Sequence, residues 1–220
     1  MSLRFENVRL IDPELGTETL GTLRIEDGVI TADGPADRVI DGGGKCLAPG
    51  IVDMGVKVGE PGERHKESFR TAGAAAAAGG VTTIVCRPDT DPAVDTPETL
   101  EYALRRGRDM AQVHVHQMAA LTKGREGREM VEIGFLQDAG ALAFTDCDAV
   151  VTNTKVLSRA MTYARGLGAL VIAHPQEPGL SAGSAVTSGK FATLRGLPGV
   201  SPLAERIGLE RDLALVEMTG

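Results

Sequence analysis

Short apolar runs alternate with polar turns along the first 48 residues of the chain. Runs of this length, bounded by turns such as Glu26-Asp27-Gly28 and Asp33-Gly34-Pro35, are typical of β-strands. The predicted strands are Leu3 to Val8, Thr22 to Ile25, Gly28 to Thr31 and Arg38 to Asp41. We therefore predict a β-rich part over residues 1–48 and a second part over residues 49–220.

The second part has a different pattern, in which β-like runs alternate with helical ones. The predicted strands cover residues 51–57, 82–86, 113–118, 141–145 and 170–174. The predicted helices are Ser68 to Ala78, Pro97 to Arg108, Arg125 to Asp138, Thr154 to Leu167 and Leu203 to Met218. Alternation of this kind is the signature of an α/β protein with a parallel sheet.

Composition and charge narrow the classes of function. The formal net charge is −7, and the acidic balance argues against nucleic acid or an anionic membrane as a partner, because either would need a basic face. No run approaches the about 20 apolar residues of a membrane span. Cys46, Cys86 and Cys147 show no paired spacing, which predicts reduced, buried thiols and a cytoplasmic location.

The segment with the most specific motif runs from Pro49 to Gly62 and reads PGIVDMGVKVGEPG. It resembles the first barrel strand of the dihydroorotase family in the amidohydrolase superfamily. That signature is Pro-Gly, two apolar residues, Asp-x-His-x-His-x-Arg, an acid and Pro-Gly. Gly55 and Lys57 stand where the family has two zinc-binding histidines, and Gly59 stands where it has a substrate-binding arginine.

The two lost histidines matter because of strand geometry. Side chains at i and i+2 point to the same face of a strand, so an H-x-H pair presents two imidazoles to one metal ion. Glycine offers no ligand, and the lysine ammonium has three donors, no acceptor and a positive charge. We therefore predict that the family's zinc site does not form here. The alternative is an accidental match to a buried strand.

Further matches follow in the family's order, which argues against accident. They are His65-Lys66-Glu67 with Thr71-Ala72-Gly73, residues 79–86, Arg87-Pro88-Asp89-Thr90, residues 120–127, Ala143-Phe144-Thr145-Asp146, residues 172–177, residues 196–199 and residues 210–220. The family has M-P-N-T at residues 87–90, so Asp89 replaces an asparagine that contacts substrate. Cys147 and Asp148 replace the second acid and the glycine of the family's A-F-S-D-D-G stretch.

Some family positions keep residues that could bind metal. By resemblance, Asp146 and His174 occupy metal-ligand positions, and together with a downstream histidine they could hold one ion weakly. The alternative is that they remain as hydrogen-bonded polar residues in an inactive pocket. We also predict that Lys57 contacts Asp146 in place of zinc, which would make these two residues the only candidates for a catalytic role.

His114-Val115-His116 is a second H-x-H sequence on a predicted strand. Its spacing suits two metal ligands, but the family has ordinary residues at these positions. A structural or solvent-facing role is the alternative, and the sequence favours it.

The resemblance implies a fold and also how much of that fold this chain contains. The expected fold is a (β/α)8 TIM-type barrel with a small β-sandwich to which residues 1–48 contribute. About five of the eight barrel strands lie in this chain, which therefore looks like an N-terminal half. The remainder would belong to a longer polypeptide, carrying a further ligand histidine and the catalytic aspartate beyond Gly220, or to another chain. An open barrel would expose apolar strand edges.

Three functions remain open. The leading hypothesis is a non-catalytic dihydroorotase homologue of pyrimidine biosynthesis, without zinc, in a homo- or hetero-oligomer, acting as a scaffold for aspartate carbamoyltransferase. The second is an active cyclic amidohydrolase with a remodelled zinc site that hydrolyses a cyclic amide bond. The third is a barrel that binds a metabolite without converting it. For substrate contacts the candidate positions are Asp89 and Gly59, both altered from the family's residues.

Overall fold

The computed structural model describes residues 1–220, which divide into two compact units, Met1–Ile51 and Val52–Gly220. The division predicted from the sequence was after residue 48. The two units are described separately below. No helix combines the length and the apolar character that crossing a bilayer requires.

The first unit is a β-sheet. Its strands are β1 (Ser2–Asp12), β2 (Thr17–Glu26), β3 (Val29–Thr31), β4 (Arg38–Asp41) and β5 (Cys46–Leu47). The order is β3-β2-β1-β4, and β5 also pairs with β1. The β1–β2 pairing is antiparallel and shifts register between Phe5 and Val8, where Asn7 has a positive φ of 52°. Strands β1 and β2 extend beyond the predicted runs because their hydrogen bonding continues up to the turn between them, whereas β4 has the predicted bounds and β5 was not predicted.

The second unit begins with strands and helices in alternation. These are β6 (Ile51–Val56), α1 (Phe69–Ala78), β7 (Val81–Cys86), α2 (Pro97–Met110) and β8 (His114–Gln117). The three strands form a sheet in the order β6-β7-β8, and β7 and β8 are parallel. Ser68 and Thr96 cap the two helices, each in a capping box with the threonine three residues later.

The other two predicted strands do not form regular strands, so this part of the prediction is wrong. Residues 141–145 and 170–174 contain only isolated parallel bridges, from Phe144 to Ala119 and to Val171. Their main chains are nonetheless hydrogen-bonded in the expected order after β8. The Leu142 N–H donates to the Gln117 carbonyl, the Ala119 N–H to the Ala143 carbonyl and the Thr145 N–H to the Ala119 carbonyl.

The predicted helix over residues 125–138 is also wrong in its first half. The structure has a short 3₁₀ turn, Lys123–Arg125, and a helix, α3, only over Ile133–Asp138. Between them the chain folds back, and Thr122 pairs with Met130 in an antiparallel bridge. The pairing with the preceding segment outweighs helix propensity here, because it satisfies main-chain groups that a helix would have bonded internally.

The rest of the unit is helical with two short strands. Its elements are α4 (Thr154–Leu167), α5 (Pro178–Ser181), β9 (Val186–Thr187), α6 (Lys190–Arg195), β10 (Gly199–Val200) and α7 (Leu203–Thr219). Helices α4 and α7 agree with the prediction, whereas α5, α6, β9 and β10 were not predicted. Asn153 caps α4 by accepting from the N–H groups of Lys155 and Val156.

Three apolar clusters hold the second unit together. The largest centres on Leu100, Ile133, Leu136 and Phe144, and another centres on Phe69 and Ile84. The third consists of Val85, Met118 and Ala143. Apolar side chains of the strand edge are exposed, as the sequence predicted: Val52 and Met54 are 57% and 55% exposed.

Candidate functional site

The candidate site lies where the strands of the second unit end. An open cavity of about 360 Å³ is lined by residues that include Gly55, Arg87, Cys147, Asp148 and His174. These residues follow or end β6, β7 and the segments around Phe144 and Val171. The carboxyl ends of parallel strands meet at one edge of a sheet, which is where barrel enzymes place their active sites.

Two glycines of the motif are required by the main chain. Gly55 has a φ of 95°, in the left-handed region that disfavours side chains. Gly59 is buried in a tight turn, in which the Glu63 N–H donates to the Gly59 carbonyl over 2.6 Å. A Cβ atom at residue 59 would lie 2.6 Å from the Glu63 carbonyl oxygen. The backbone is therefore adapted to the absence of a histidine and an arginine at these positions.

Lys57 does not contact Asp146, and this prediction is wrong. The Lys57 Nζ atom lies 3.1 Å from Oδ2 of Asp89, and the lysine side chain is 53% exposed. The reason is that Asp146 already has neutral donors for both of its oxygens, so it does not need a cation.

Asp146 is a buried, fully hydrogen-bonded carboxylate. Its Oδ1 accepts from the main-chain N–H groups of Leu121 and Thr122 over 2.9 and 3.0 Å, and its Oδ2 accepts from the Thr122 hydroxyl. Burial raises the pKa of the Asp146 carboxyl, and these hydrogen bonds oppose that rise. The arrangement joins the segment after Phe144 to the loop after β8 and gives each carboxylate oxygen at least one hydrogen-bond donor.

Asp89, at a substrate-contact position of the motif, does not line the cavity. Its side chain is only 3% exposed, and its Oδ2 lies 2.9 Å from Arg87 Nη2 as well as close to Lys57. Two cations therefore balance this one carboxylate. The charged groups that do reach the solvent here are Lys57, Asp148 and, in part, Arg87.

The histidines do not assemble into a ligand set. His174 is exposed and lines, with Asp146 and Cys147, a small cavity of about 30 Å³. His114 and His116 are exposed on β8, beside Thr83 and Val85 of β7, and line a separate cavity of about 770 Å³. No acid or cysteine lines that second cavity, so the H-x-H pair has no third ligand there.

The residues present do not fit a zinc centre of the family's kind. Such a site needs three or four deprotonated N, O or S ligands. Gly55 has no side chain, the Lys57 ammonium is ion-paired, and Asp146 is satisfied by other donors. No group of three His, Cys, Asp or Glu side chains in this chain is placed to hold a metal ion.

Sequence reasoning missed three contributors to the site. Arg87, Arg125 and Asp148 extend the ion pairing around Asp89, with Arg125 Nη2 lying 2.7 Å from Asp148 Oδ1. One signal was present: Arg87 and Asp89 introduce opposite charges two residues apart at the end of a buried strand. Opposite charges at such a position suggest mutual pairing.

Glu60 also has a role that the motif did not reveal. Its side chain is 2% exposed and accepts from the Phe69 N–H, at the start of α1, and from Arg106 Nε on α2 over 2.8 Å. The acid of the signature is therefore an anchor for two helices. The cysteines also differ from expectation, because Cys46 is exposed and Cys147 is only half-buried, although all three thiols are free.

Sequence comparisons agree with the motifs. The chain is 38% identical over 226 residues to a dihydroorotase of Syntrophobacter fumaroxidans, covering 98% of this chain and 52% of that protein. It is also 38% identical to a "Dihydroorotase-like protein" of Pseudomonas putida, covering 100% of this chain and 53% of that protein. The chain thus spans about half the length of the curated relatives it matches.

Solved structures show the same fold at lower identity. The L-hydantoinase of Arthrobacter aurescens superimposes with a TM-score of 0.79 at 21% identity, over 99% of this chain and 51% of that one. A D-hydantoinase structure gives a TM-score of 0.74 at 20% identity, over 100% and 50%. The fold is therefore α/β and resembles these amidohydrolase barrels over about half of their length. A family model described as "Dihydro-orotase-like" matches residues 44–220, and the chain belongs to that family.

Proposed function

We propose that this chain is part of a non-catalytic dihydroorotase-like protein of pyrimidine biosynthesis. The observation that carries the proposal is the pair of residues at the first metal position. Gly55 has no side chain, and the Lys57 ammonium is bound to Asp89. Neither residue can donate an electron pair to a zinc ion, so the usual source of an activated water is missing.

The substrate side of the site supports the same proposal. An arginine at residue 59 would meet the Glu63 carbonyl, so the chain has no room in this turn for the family's carboxylate-binding side chain. Asp89 is buried in ion pairs and is not free to hydrogen-bond a substrate as an asparagine amide would. Loss of both contacts removes binding and orientation as well as chemistry.

A scaffold role is the second part of the proposal. The dihydroorotase resemblance implies non-catalytic chains that associate with aspartate carbamoyltransferase and support its assembly. We propose that partner for the complete protein, in a homo- or hetero-oligomer. The support is the resemblance together with the altered metal and substrate positions.

The experiment is a paired measurement of metal content and ring hydrolysis on the full-length protein. We expect less than about 0.1 zinc per chain after gentle purification, because the chain lacks the set of ligands that a zinc site requires. We expect no dihydroorotate hydrolysis above the uncatalysed rate, with or without added zinc. The Syntrophobacter fumaroxidans dihydroorotase, purified in parallel, is the positive control for both measurements.

The competing candidate is an active cyclic amidohydrolase with a remodelled metal site. Asp146 and His174 favour it to the extent that they line one small cavity. Stoichiometric zinc together with zinc-dependent ring opening of dihydroorotate or another cyclic amide would establish this candidate and refute the non-catalytic proposal. An Asp146→Ala variant would then lose that activity.

A further inference from the structure

Charged side chains from neighbouring strand ends form one ion-pair network, consisting of Lys57, Arg87, Asp89, Arg125 and Asp148. Asp89 Oδ2 lies 3.1 Å from Lys57 Nζ and 2.9 Å from Arg87 Nη2. Arg87 Nη2 also lies 3.6 Å from Asp148 Oδ1, which in turn is 2.7 Å from Arg125 Nη2. The network thus runs from the end of β6, through the end of β7, to the loops near residues 125 and 148.

Four members of the network stand at positions where the chain departs from the dihydroorotase motifs. Lys57 replaces a histidine, Arg87 a methionine, Asp89 an asparagine and Asp148 a glycine. Each change alone would place an isolated charge at the mouth of the site. In the structure they pair with one another, so the departures from the motifs are linked physically.

Burial makes the pairing around Asp89 important. A carboxylate that is 3% exposed has lost most of its water, and this is unfavourable unless cations and donors replace the lost hydration. Lys57 and Arg87 both approach the same oxygen, each from a different strand end. Removal of one cation leaves the other, whereas removal of both leaves a buried charge without a counterion.

We infer that this network takes the place of a metal centre as the link between strand ends. Lys57 and Arg87 supply the positive charge that holds the end of β6 to the end of β7, and Asp148 and Arg125 continue the link to the next two loops. The order of the site therefore does not depend on a bound metal ion. The inference concerns what holds the site together and stands whether or not the protein has catalytic activity.

The experiment measures thermal unfolding of the full-length protein and four variants. Lys57→Met and Arg87→Met each leave Asp89 with one cation, and we expect each to lower Tm by about 2 °C. Together they leave Asp89 unpaired, and we expect a loss of about 8 °C, more than the sum. Adding Asp89→Asn to this pair removes the buried charge and restores at least half of the loss. The triple variant therefore tests whether the Tm of the double variant falls because Asp89 has lost its counterions.

A matched control uses exposed ion pairs elsewhere in the chain. Lys66 pairs with Glu63, and Arg206 pairs with Glu210. We expect Lys66→Met with Arg206→Met to lower Tm by less than about 2 °C, because exposed pairs contribute little. A chelator should leave the Tm of the unaltered protein unchanged.

Three results would overturn the inference. One is a double Lys57→Met, Arg87→Met variant that loses no more than the exposed-pair control. Another is a triple variant that stays as unstable as the double variant. The last is a fall in Tm with chelator that zinc reverses, since this would show that a metal ion holds the site together.

Discussion

At the scale of single residues, two buried carboxylates in the same site are stabilised in different ways. Asp89 is balanced by the cations Lys57 and Arg87, whereas Asp146 is held by uncharged donors from Leu121 and Thr122. For Asp146 desolvation outweighs these hydrogen bonds, and its pKa rises. Two aspartates that both follow strand segments in the motifs therefore differ in the groups that stabilise their carboxylates.

The thiols also differ in their surroundings. Burial, helped by the nearby charge of Glu67, raises the pKa of the Cys86 thiol to about 12, and burial also raises the pKa of Cys147. Cys46 is exposed. Only the thiolate reacts rapidly with disulfide reagents, and it must also be accessible.

We therefore predict that Cys46 reacts with an aromatic disulfide reagent at pH 8 well before Cys86. The measurement is the time course of thiol release from the native protein. Cys46→Ser should remove one thiol from the fast phase, whereas Cys86→Ser should leave the fast phase unchanged and remove one thiol only after denaturation. Rapid native reaction of Cys86 would contradict the burial of this residue at the end of β7.

At the scale of elements, Glu60 connects the turn after β6 to two helices. It accepts from the Phe69 N–H at the start of α1 and pairs with Arg106 on α2. The first N–H groups of a helix have no partner within the helix, so a buried acceptor at this point satisfies one of them. The turn and the helices around it are thus held by one carboxylate.

We predict that Glu60→Ala lowers the free energy of unfolding by about 2 kcal/mol, because a buried N–H loses its acceptor. Urea unfolding measures the change. Glu63→Ala is the matched control three residues away, and it should have a much smaller effect because Glu63 pairs with the exposed Lys66. Equal losses in the two variants would show that the Glu60 contacts add nothing.

The same scale shows what sequence patterns could predict. Helix α4 begins and ends as predicted because Asn153, an amphipathic run and Gly168 all mark it locally. The predicted helix over 125–138 was wrong in its first half because the chain folds back there and pairs Thr122 with Met130, a contact that helical periodicity does not mark. At 141–145 and 170–174 the predicted neighbours are correct, but each pairing is a single bridge through Phe144 and not a regular strand ladder.

The sequence predicted where the candidate site lies, but not which of its side chains form ion pairs with one another. Periodicity and motifs predicted that Lys57, Asp89, Asp146 and His174 lie at the carboxyl ends of strand segments. In the structure these ends lie close together. The partner of Lys57 was not predictable, because it depends on which carboxylate already has neutral donors. The neutral donors of Asp146 are the main-chain N–H groups of Leu121 and Thr122, and a pattern of side chains along the sequence does not show where main-chain groups point.

At the scale of the whole molecule, the chain accounts for about half of the barrel proteins it resembles. Val52 and Met54 on β6 are more than half exposed, and so is Leu170. The site at the strand ends is correspondingly open on one side. Activity and partners therefore have to be tested on the complete protein.

The scaffold proposal makes a prediction at this scale. When the full-length protein is co-expressed with aspartate carbamoyltransferase of the same organism, we expect the two to co-elute in gel filtration as one complex of fixed stoichiometry. Carbamoyltransferase expressed alone is the control and should elute as a smaller species. Two separate peaks at micromolar concentrations of both proteins would refute the scaffold role.

The turn at Gly59 has a consequence for any attempt to rebuild this site by mutation. Because a Cβ atom there would collide with the Glu63 carbonyl, and because Gly55 has a positive φ, restoring an arginine or a histidine also requires the main chain to change. Substituting the two glycines without altering the turn should therefore destabilise the protein. A design that aims to build a histidine and an arginine into this segment has to rebuild the turn first.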